Sequence, residues 1–259
     1  MDQIEDRLRR LFEAKYGSSV GQMSWSPRLR HRFGYFTPDD YYEAVVEGLV
    51  ESGTEWLDVG GGSSIFPNNP KLARILADRC KRLVAIDPSA NVNENPFAHE
   101  RCQMFLEDFQ GTRQFSLATA RMVVEHVARP ESFVAKLGQL IRPGGRAVVY
   151  TVSRWAPMTI LSHGTPIGIH NLFKRVLWGA EEKDTFPVVY RMNTRRRLQE
   201  LFASGGFREV QFFRLDDCRT LAKWKVTSLF ELSTWRVLRS AGIGYPESCL
   251  LGVYERVGP

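Results

Sequence analysis

A chain of 259 residues is long enough for one large α/β domain with its own core and too short for two comfortable ones, so a single domain (1–259) with insertions is expected. Hydrophobic residues at 43% and charged residues at 25% exclude a disordered chain. No apolar run reaches the roughly eighteen residues of a membrane span, and acids in Met1-Asp2-Gln3-Ile4-Glu5-Asp6 argue against a signal peptide, so a soluble cytoplasmic protein is expected.

The net charge of +6 fits an anionic substrate, nucleic acid, peripheral contact with a membrane surface, or simply a solvated basic face. Cys80, Cys102, Cys218 and Cys249 are scattered without a C-x-x-C pair, which points to reduced thiols rather than zinc or disulfides. Carboxylates do not cluster convincingly near strand ends, so no metal is expected. Nothing in the composition speaks to oligomeric state.

In chain order, Ile4, Leu8, Leu11 and Phe12 fall on one stripe of an amphipathic helix over 2–16. The basic, aromatic stretch Trp25 to Phe36 suits nucleic-acid contact or a ligand lid, and places Tyr35 and Phe36 as candidate pocket walls. Thr37-Pro38-Asp39-Asp40 opens a helix, with Thr37 as cap and Asp40 reaching back. Residues 1–50 thus read as a helical cover, and 51–152 as the core that follows.

Trp56-Leu57-Asp58-Val59-Gly60-Gly61-Gly62 reads as a buried strand running into a glycine turn that brings amide N–H groups against a ligand. A helix starts near Pro70 and runs to about Cys80, and a second strand, 82–87, ends in Asp87-Pro88. An acid at that position is placed to accept hydrogen bonds from ribose hydroxyls, which suggests an adenosine-containing cofactor. A dinucleotide fingerprint would need a third glycine where Ile65 stands, which disfavours a pyrophosphate.

The acidic-x-Gly-x-Gly pattern of Asp58, Gly60 and Gly62, with Gly61 between, resembles motif I of the class I S-adenosylmethionine-dependent methyltransferases, Ser64 standing where a third small residue is frequent. The resemblance implies a doubly wound, mostly parallel, seven-stranded Rossmann-like α/β sheet with helical cap insertions, and S-adenosylmethionine as cofactor. It carries further along the chain. Strand three, expected over Cys102 to Leu106, is followed by Asp108 and Phe109, which inherit the acid and adenine-side roles by position. Phe115 to Val127 resembles the segment whose strand ends beside the transferred methyl, so Arg121 and Met122 join the cofactor candidates, with Ser116 replacing a frequent acid. Pro143-Gly144-Gly145 is the family's turn before strand five, Ala147 to Val152.

Beyond strand five, 153–193 and 217–243 are expected to be cap insertions. The first holds a helix over 168–178 and adds Arg154, Trp155, Tyr190 and Arg191 to the candidate pocket walls. The second is helical by period and apolar on two sides, Ala222, Val226, Leu229, Phe230 and Val237 on one and Trp224, Leu232 and Trp235 on another, as for a helix that is sandwiched or lines a pocket. Arg195-Arg196-Arg197 opens a helix closed by Gly205-Gly206, and strands over 209–215 and 249–256 complete the chain.

If the methyl acceptor must lose a proton, His126 is the first candidate base because it follows the strand nearest the methyl; His170 is the second. Glu125 reads as a helix-start acid. The insertions favour a small-molecule acceptor, with O-methylation of a hydroxylated metabolite or sugar as the leading expectation. Arg28, Arg30, Arg32 and the run at Arg195 motivate the alternative of an RNA methyltransferase, although residues 120–123, Ala-Arg-Met-Val, lack the Asn/Asp-Pro-Pro-aromatic signature of nucleic-acid amino-methylating enzymes. A cofactor-binding protein without turnover is the third possibility.

Overall fold

The computed structural model describes residues 2–111, 114–157, 159 and 186–258. The chain divides into two compact units. One comprises Val46–Val152, Phe186–Phe213 and the stretch from Leu250; the other takes in the chain up to Val45, the stretch starting at Ser153, and Arg214–Cys249. Among the described residues seven strands, β1 (Glu55–Val59), β2 (Arg82–Asp87), β3 (Glu100–Gln103), β4 (Phe115–Arg121), β5 (Ile141–Val152), β6 (Phe207–Asp216) and β7 (Glu247–Arg256), form a single sheet in the order β3-β2-β1-β4-β5-β7-β6.

In the first unit β1 (Glu55–Val59), β2 (Arg82–Asp87) and β4 (Phe115–Arg121) are near-continuous apolar runs, as strands covered on both faces must be. They pair in parallel, with β1 between β2 and β4, and β3 (Glu100–Gln103) and β5 (Ile141–Val152) extend the parallel set. Leu57, Val84, Ile86, Phe115 and Ala118 of these strands pack with Phe133, Val134 and Leu137 of α5 (Pro130–Leu140) and with Leu198 and Phe202 of α6 (Arg195–Ser204). Burial of each such side chain contributes about 1.5–3 kcal/mol. The Ser116 hydroxyl accepts from Glu55 N–H at 3.0 Å, tying the starts of β1 and β4 together where an acid was expected. The helix α4 (Pro70–Arg79) begins where expected, because Asn69 accepts from Leu72 N–H and Pro70 occupies the first turn.

Two boundaries differ from the sequence reading. The third strand lies at Glu100–Gln103 rather than Cys102 to Leu106, since Leu106 leaves the sheet edge to open a 3₁₀ turn, Leu106–Asp108, and anchor in the core. Pro143-Gly144-Gly145 is a bulge inside β5 rather than a turn before it: Phe115 pairs with Ile141 and Leu117 with Arg146, so the extra residues loop out of the ladder. Gly144 takes φ +75° there.

The second unit is helical around α1 (Asp2–Tyr16), α2 (Trp25–Phe33), α3 (Pro38–Glu47, whose last two residues enter the first unit) and α7 (Lys225–Ser240). The capping box forms as read, with Asp40 Oδ2 accepting from Thr37 N–H at 2.8 Å and Thr37 Oγ1 accepting from Asp40 N–H at 3.2 Å. Asp40 Oδ2 also accepts from Arg30 Nη1 at 2.8 Å, and the Arg30 guanidinium lies over the Phe12 and Tyr16 rings. The Trp25 to Phe33 stretch is therefore a packed helix, and its central arginine neutralises a buried carboxylate inside the unit. Among the described residues no helix is long and apolar enough to cross a membrane.

Candidate active site

Parallel pairing aligns Val59 with Ile86 and with Ala120, so the carboxyl ends of β1, β2 and β4 open on one edge of the sheet. Ligands of open α/β sheets bind beyond such ends. Gly60 and Gly62 take φ +69° and +40°, left-handed values that side chains resist. A Cβ on Gly60 would overlap Val123 Cγ2, and one on Gly61 would lie 3.0 Å from both Ala85 Cβ and Asp58 Oδ2.

The turn's amide groups do not face outward as the sequence suggests. Gly60 and Gly61 N–H donate to Ile86 O at 2.7 and 3.2 Å, and Gly62 N–H donates to Asp87 Oδ2 at 3.0 Å. What the glycines leave open is space. Among the described residues a Cβ on Gly62 would meet nothing nearer than Asp87 Oδ2 at 3.9 Å, so the turn leaves open space beside that carboxylate. Asp87 Oδ1 accepts from Ser89 N–H at 2.8 Å, just past Pro88. A carboxylate accepts about four hydrogen bonds, which leaves two for a vicinal diol. The arrangement fits a ribose.

Asn95 is a contributor that the sequence reading missed. Fully buried, it donates to Gly61 O at 3.1 Å and Gly62 O at 3.2 Å and so buckles the turn to the segment after β2. Its residue type alone gave no signal, because Asn is common in turns.

Asp58 is buried, and its Oδ1 accepts from Thr119 Oγ1 at 2.6 Å, which in turn accepts from Trp56 Nε1 at 2.8 Å. Burial raises the carboxyl to about 7, against the opposing pull of the Thr119 hydroxyl and the Arg121 charge. The folded protein therefore holds a proton that the unfolded chain, near 3.8, has lost. Stability from this group should fall as pH rises from about 4 to about 7, by about 1.4 kcal/mol per unit, and level off above. Urea unfolding across that window should show a slope that Asp58→Asn flattens; an identical slope in the variant would refute the assignment.

The acid after β3 behaves differently from its neighbour. Asp108 is exposed at the end of the 3₁₀ turn, whereas the Phe109 ring is buried in the core, 6.2 Å from Phe115. At the end of β4, Arg121 lies over the Tyr150 ring and Met122 takes φ +53°, a strained value for a non-glycine residue, with its N–H donating to Tyr150 O at 2.7 Å.

Val124–His126 forms a 3₁₀ turn, separate from α5. His126 is half-buried, with Nδ1 3.3 Å from Pro187 O and its ring edge-on to Phe186. When Nδ1–H donates to that carbonyl, Nε2 keeps its lone pair. Residues 187–191 strap this turn: Val189 and Tyr190 N–H both donate to Glu125 O, and Arg191 Nη1 donates to Ala128 O at 2.6 Å. Tyr190 sits at φ +49°.

Glu125 is an acid in the first turn of that 3₁₀ segment, as read, and it is buried. Its Oε2 accepts from Thr151 Oγ1 at 2.7 Å, and Thr151 accepts from Asn193 Nδ2 at 2.8 Å, a buried chain from the 3₁₀ turn to β5. Burial pushes the Glu125 carboxyl above its ordinary range.

Tyr35, Phe36, Arg154 and Trp155 belong to the second unit. Tyr35 is buried there, its hydroxyl donating to Asp216 O and accepting from Cys218 N–H, and Phe36 packs edge-on to Phe12. Arg154 and Trp155 are exposed. His170 and the helix expected over 168–178 lie outside the described residues. The basic run on α6 is neutralised residue by residue: Arg195 pairs with Glu209, Arg196 with Glu200 and Arg197 with Glu131.

Residues 6–211 match the family model described as "Methyltransferase domain". The chain is 27% identical over 166 residues to the mitochondrial ubiquinone biosynthesis O-methyltransferase of Schizosaccharomyces pombe, covering 57% of this chain and 58% of that protein. To a ubiquinone biosynthesis O-methyltransferase of Mesorhizobium japonicum it is 33% identical over 111 residues, covering 39% of this chain and 42% of that protein. The chain thus spans about half the length of the curated relatives it matches. The solved structure of geranyl diphosphate C-methyltransferase from Streptomyces coelicolor, in complex with S-adenosyl-L-homocysteine, shares the fold at 14% identity and a TM-score of 0.51, with 83% of this chain and 77% of that one covered. From the glycine turn, the order of the sheet and the family match together, the chain belongs to the class I S-adenosylmethionine-dependent methyltransferases, and S-adenosylmethionine is its cofactor.

Proposed function

We propose that the open edge beyond β1, β2 and β4 binds S-adenosylmethionine and that the chain methylates an oxygen of a hydroxylated small molecule, of the class to which ubiquinone precursors belong. The observation that carries the cofactor position is the Asp87 carboxylate, held by two backbone N–H groups with capacity left for a diol and open space beside it where Gly62 lacks a side chain. The O-methylation reading rests on the two ubiquinone-pathway relatives.

When bound, the cofactor supplies an electrophilic sulfonium methyl. The chain's own residues do the rest. Asp87 orients the ribose, Asn95 and Asp58 keep the glycine turn in shape, and Arg121 and Met122 line the end of β4. Asp108 offers an exposed carboxylate on the side assigned to adenine. His126 Nε2 accepts the acceptor's hydroxyl proton while Nδ1–H stays on Pro187 O, and Tyr190 and Arg191 of the adjoining strap border the acceptor. Holding the two reactants in line supplies much of the acceleration.

Release of S-adenosylhomocysteine should be measured across a panel of hydroxylated aromatics and sugars, amines and RNA. Turnover on a hydroxyl acceptor is expected. Tight cofactor binding by calorimetry, with turnover confined to amines or RNA, would overturn the acceptor assignment and leave the cofactor site standing.

A further inference from the structure

Helix α7, Lys225–Ser240, presents an apolar strip to solvent. Val226, Phe230 and Val237 are 78%, 69% and 64% exposed, and at 100° per residue they fall within about 40° of one another. Leu229 borders the strip, and Trp224, 60% exposed, stands at its start. The opposite face is a packed one: Leu232 and Trp235 are buried with Tyr35 and Cys218 in the core of the second unit.

The strip is not the helix's core face turned outward, because that face is already occupied. Its charge is of one sign. Lys225 and Arg236 are exposed along one flank, the Arg236 guanidinium over the Phe33 ring, and Arg239 lies toward the packed face over the Trp235 ring, while the helix's one acid, Glu231, is buried and accepts from Leu221 N–H and the Tyr245 hydroxyl. Large apolar side chains, a tryptophan at the end of the strip and cations beside it are the composition of a helix that lies in a membrane interface.

We propose that α7 docks this chain on an anionic lipid surface. Val226, Leu229, Phe230 and Val237 enter the acyl boundary, Trp224 sits at headgroup level, and Lys225 and Arg236 meet the lipid phosphates. Charge favours this occupant over an antiparallel two-fold pairing of α7 with a second copy of the chain, which would bring the two basic flanks side by side. The proposal does not depend on the identity of the methyl acceptor.

Co-sedimentation of the full chain with phosphatidylcholine vesicles, with and without about a third phosphatidylglycerol, tests it. Binding to the anionic vesicles is expected, weakened by added salt and lowered about tenfold or more by Phe230→Asp with Val237→Asp. Lys225→Glu with Arg236→Glu should give a comparable loss, at about fivefold per charge removed. Unchanged S-adenosylmethionine affinity by calorimetry shows that these variants fold. A polarity-sensitive dye on Phe230→Cys, in a Cys102→Ser background, should shift to the blue only when anionic vesicles are added.

No binding to anionic vesicles, equal binding to neutral ones, or binding indifferent to the substitutions would each overturn the proposal. So would a dimer in light scattering that Phe230→Asp disperses, which would make the strip a self-interface. A dye already blue-shifted without vesicles would mean that the chain's own residues cover it, and would likewise overturn the proposal.

Discussion

Gly60→Val should abolish S-adenosylmethionine binding in a chain that still folds. Two costs coincide at this position. A side chain at φ +69° is disfavoured by about 1–2 kcal/mol, and the new Cβ would overlap Val123 Cγ2. Relief of that overlap requires the turn or Val123 to shift, and a shifted turn would disturb the Gly60 and Gly61 hydrogen bonds to Ile86 O and the Gly62 bond to Asp87. Calorimetry should show affinity reduced about a hundredfold or more, the weight of two or three lost hydrogen bonds to a charged group. Gly60→Ala with Val123→Ala should recover part of it, because the overlapping methyl is gone while the backbone strain persists. Near-normal affinity in folded Gly60→Val would show that the cofactor binds away from this turn.

His126→Ala should lower kcat about 100-fold or more with cofactor affinity unchanged, and the acidic limb of the pH–rate profile should vanish. The geometry offers a sharper control. Asparagine can place an N–H donor near the position of Nδ1, so His126→Asn keeps the bond to Pro187 O and removes only the Nε2 lone pair. A base role predicts that Asn is as slow as Ala. Recovery of kcat by Asn would instead make His126 a positioning residue that holds the 187–191 strap, and proximity alone would account for the rate.

The relation of these two sites to the sequence differs. The glycine turn was legible because its signal is local: an apolar run, three glycines and, one helix later, another apolar run ending in Asp87. The same holds for the capping box at Thr37, the start of α4 and the positions of β2 and β4, all set by neighbours three or four residues apart. His126 was legible by its place after β4, but the partner that leaves Nε2 free to accept a proton comes from Pro187, sixty-one residues away.

Sequence alone therefore determined the family, the strand ends that open on one edge of the sheet and most helix starts. Tertiary structure decided how the polar groups are used. It directed the glycine N–H groups to Ile86 and Asp87, brought Asn95 under the turn, and buried Glu125 against Thr151 and Asn193. It also drew the charges of Arg30 and the Arg195 run into ion pairs, while Arg28 and Arg32 stay exposed. In α7 the helical period gave two apolar sides, and packing around Trp235 decided which of them is left in solvent. The physical reason is common to all of these: periodicity and capping report interactions within a turn or a strand, whereas a hydrogen bond or ion pair across tens of residues depends on which elements the sheet brings together.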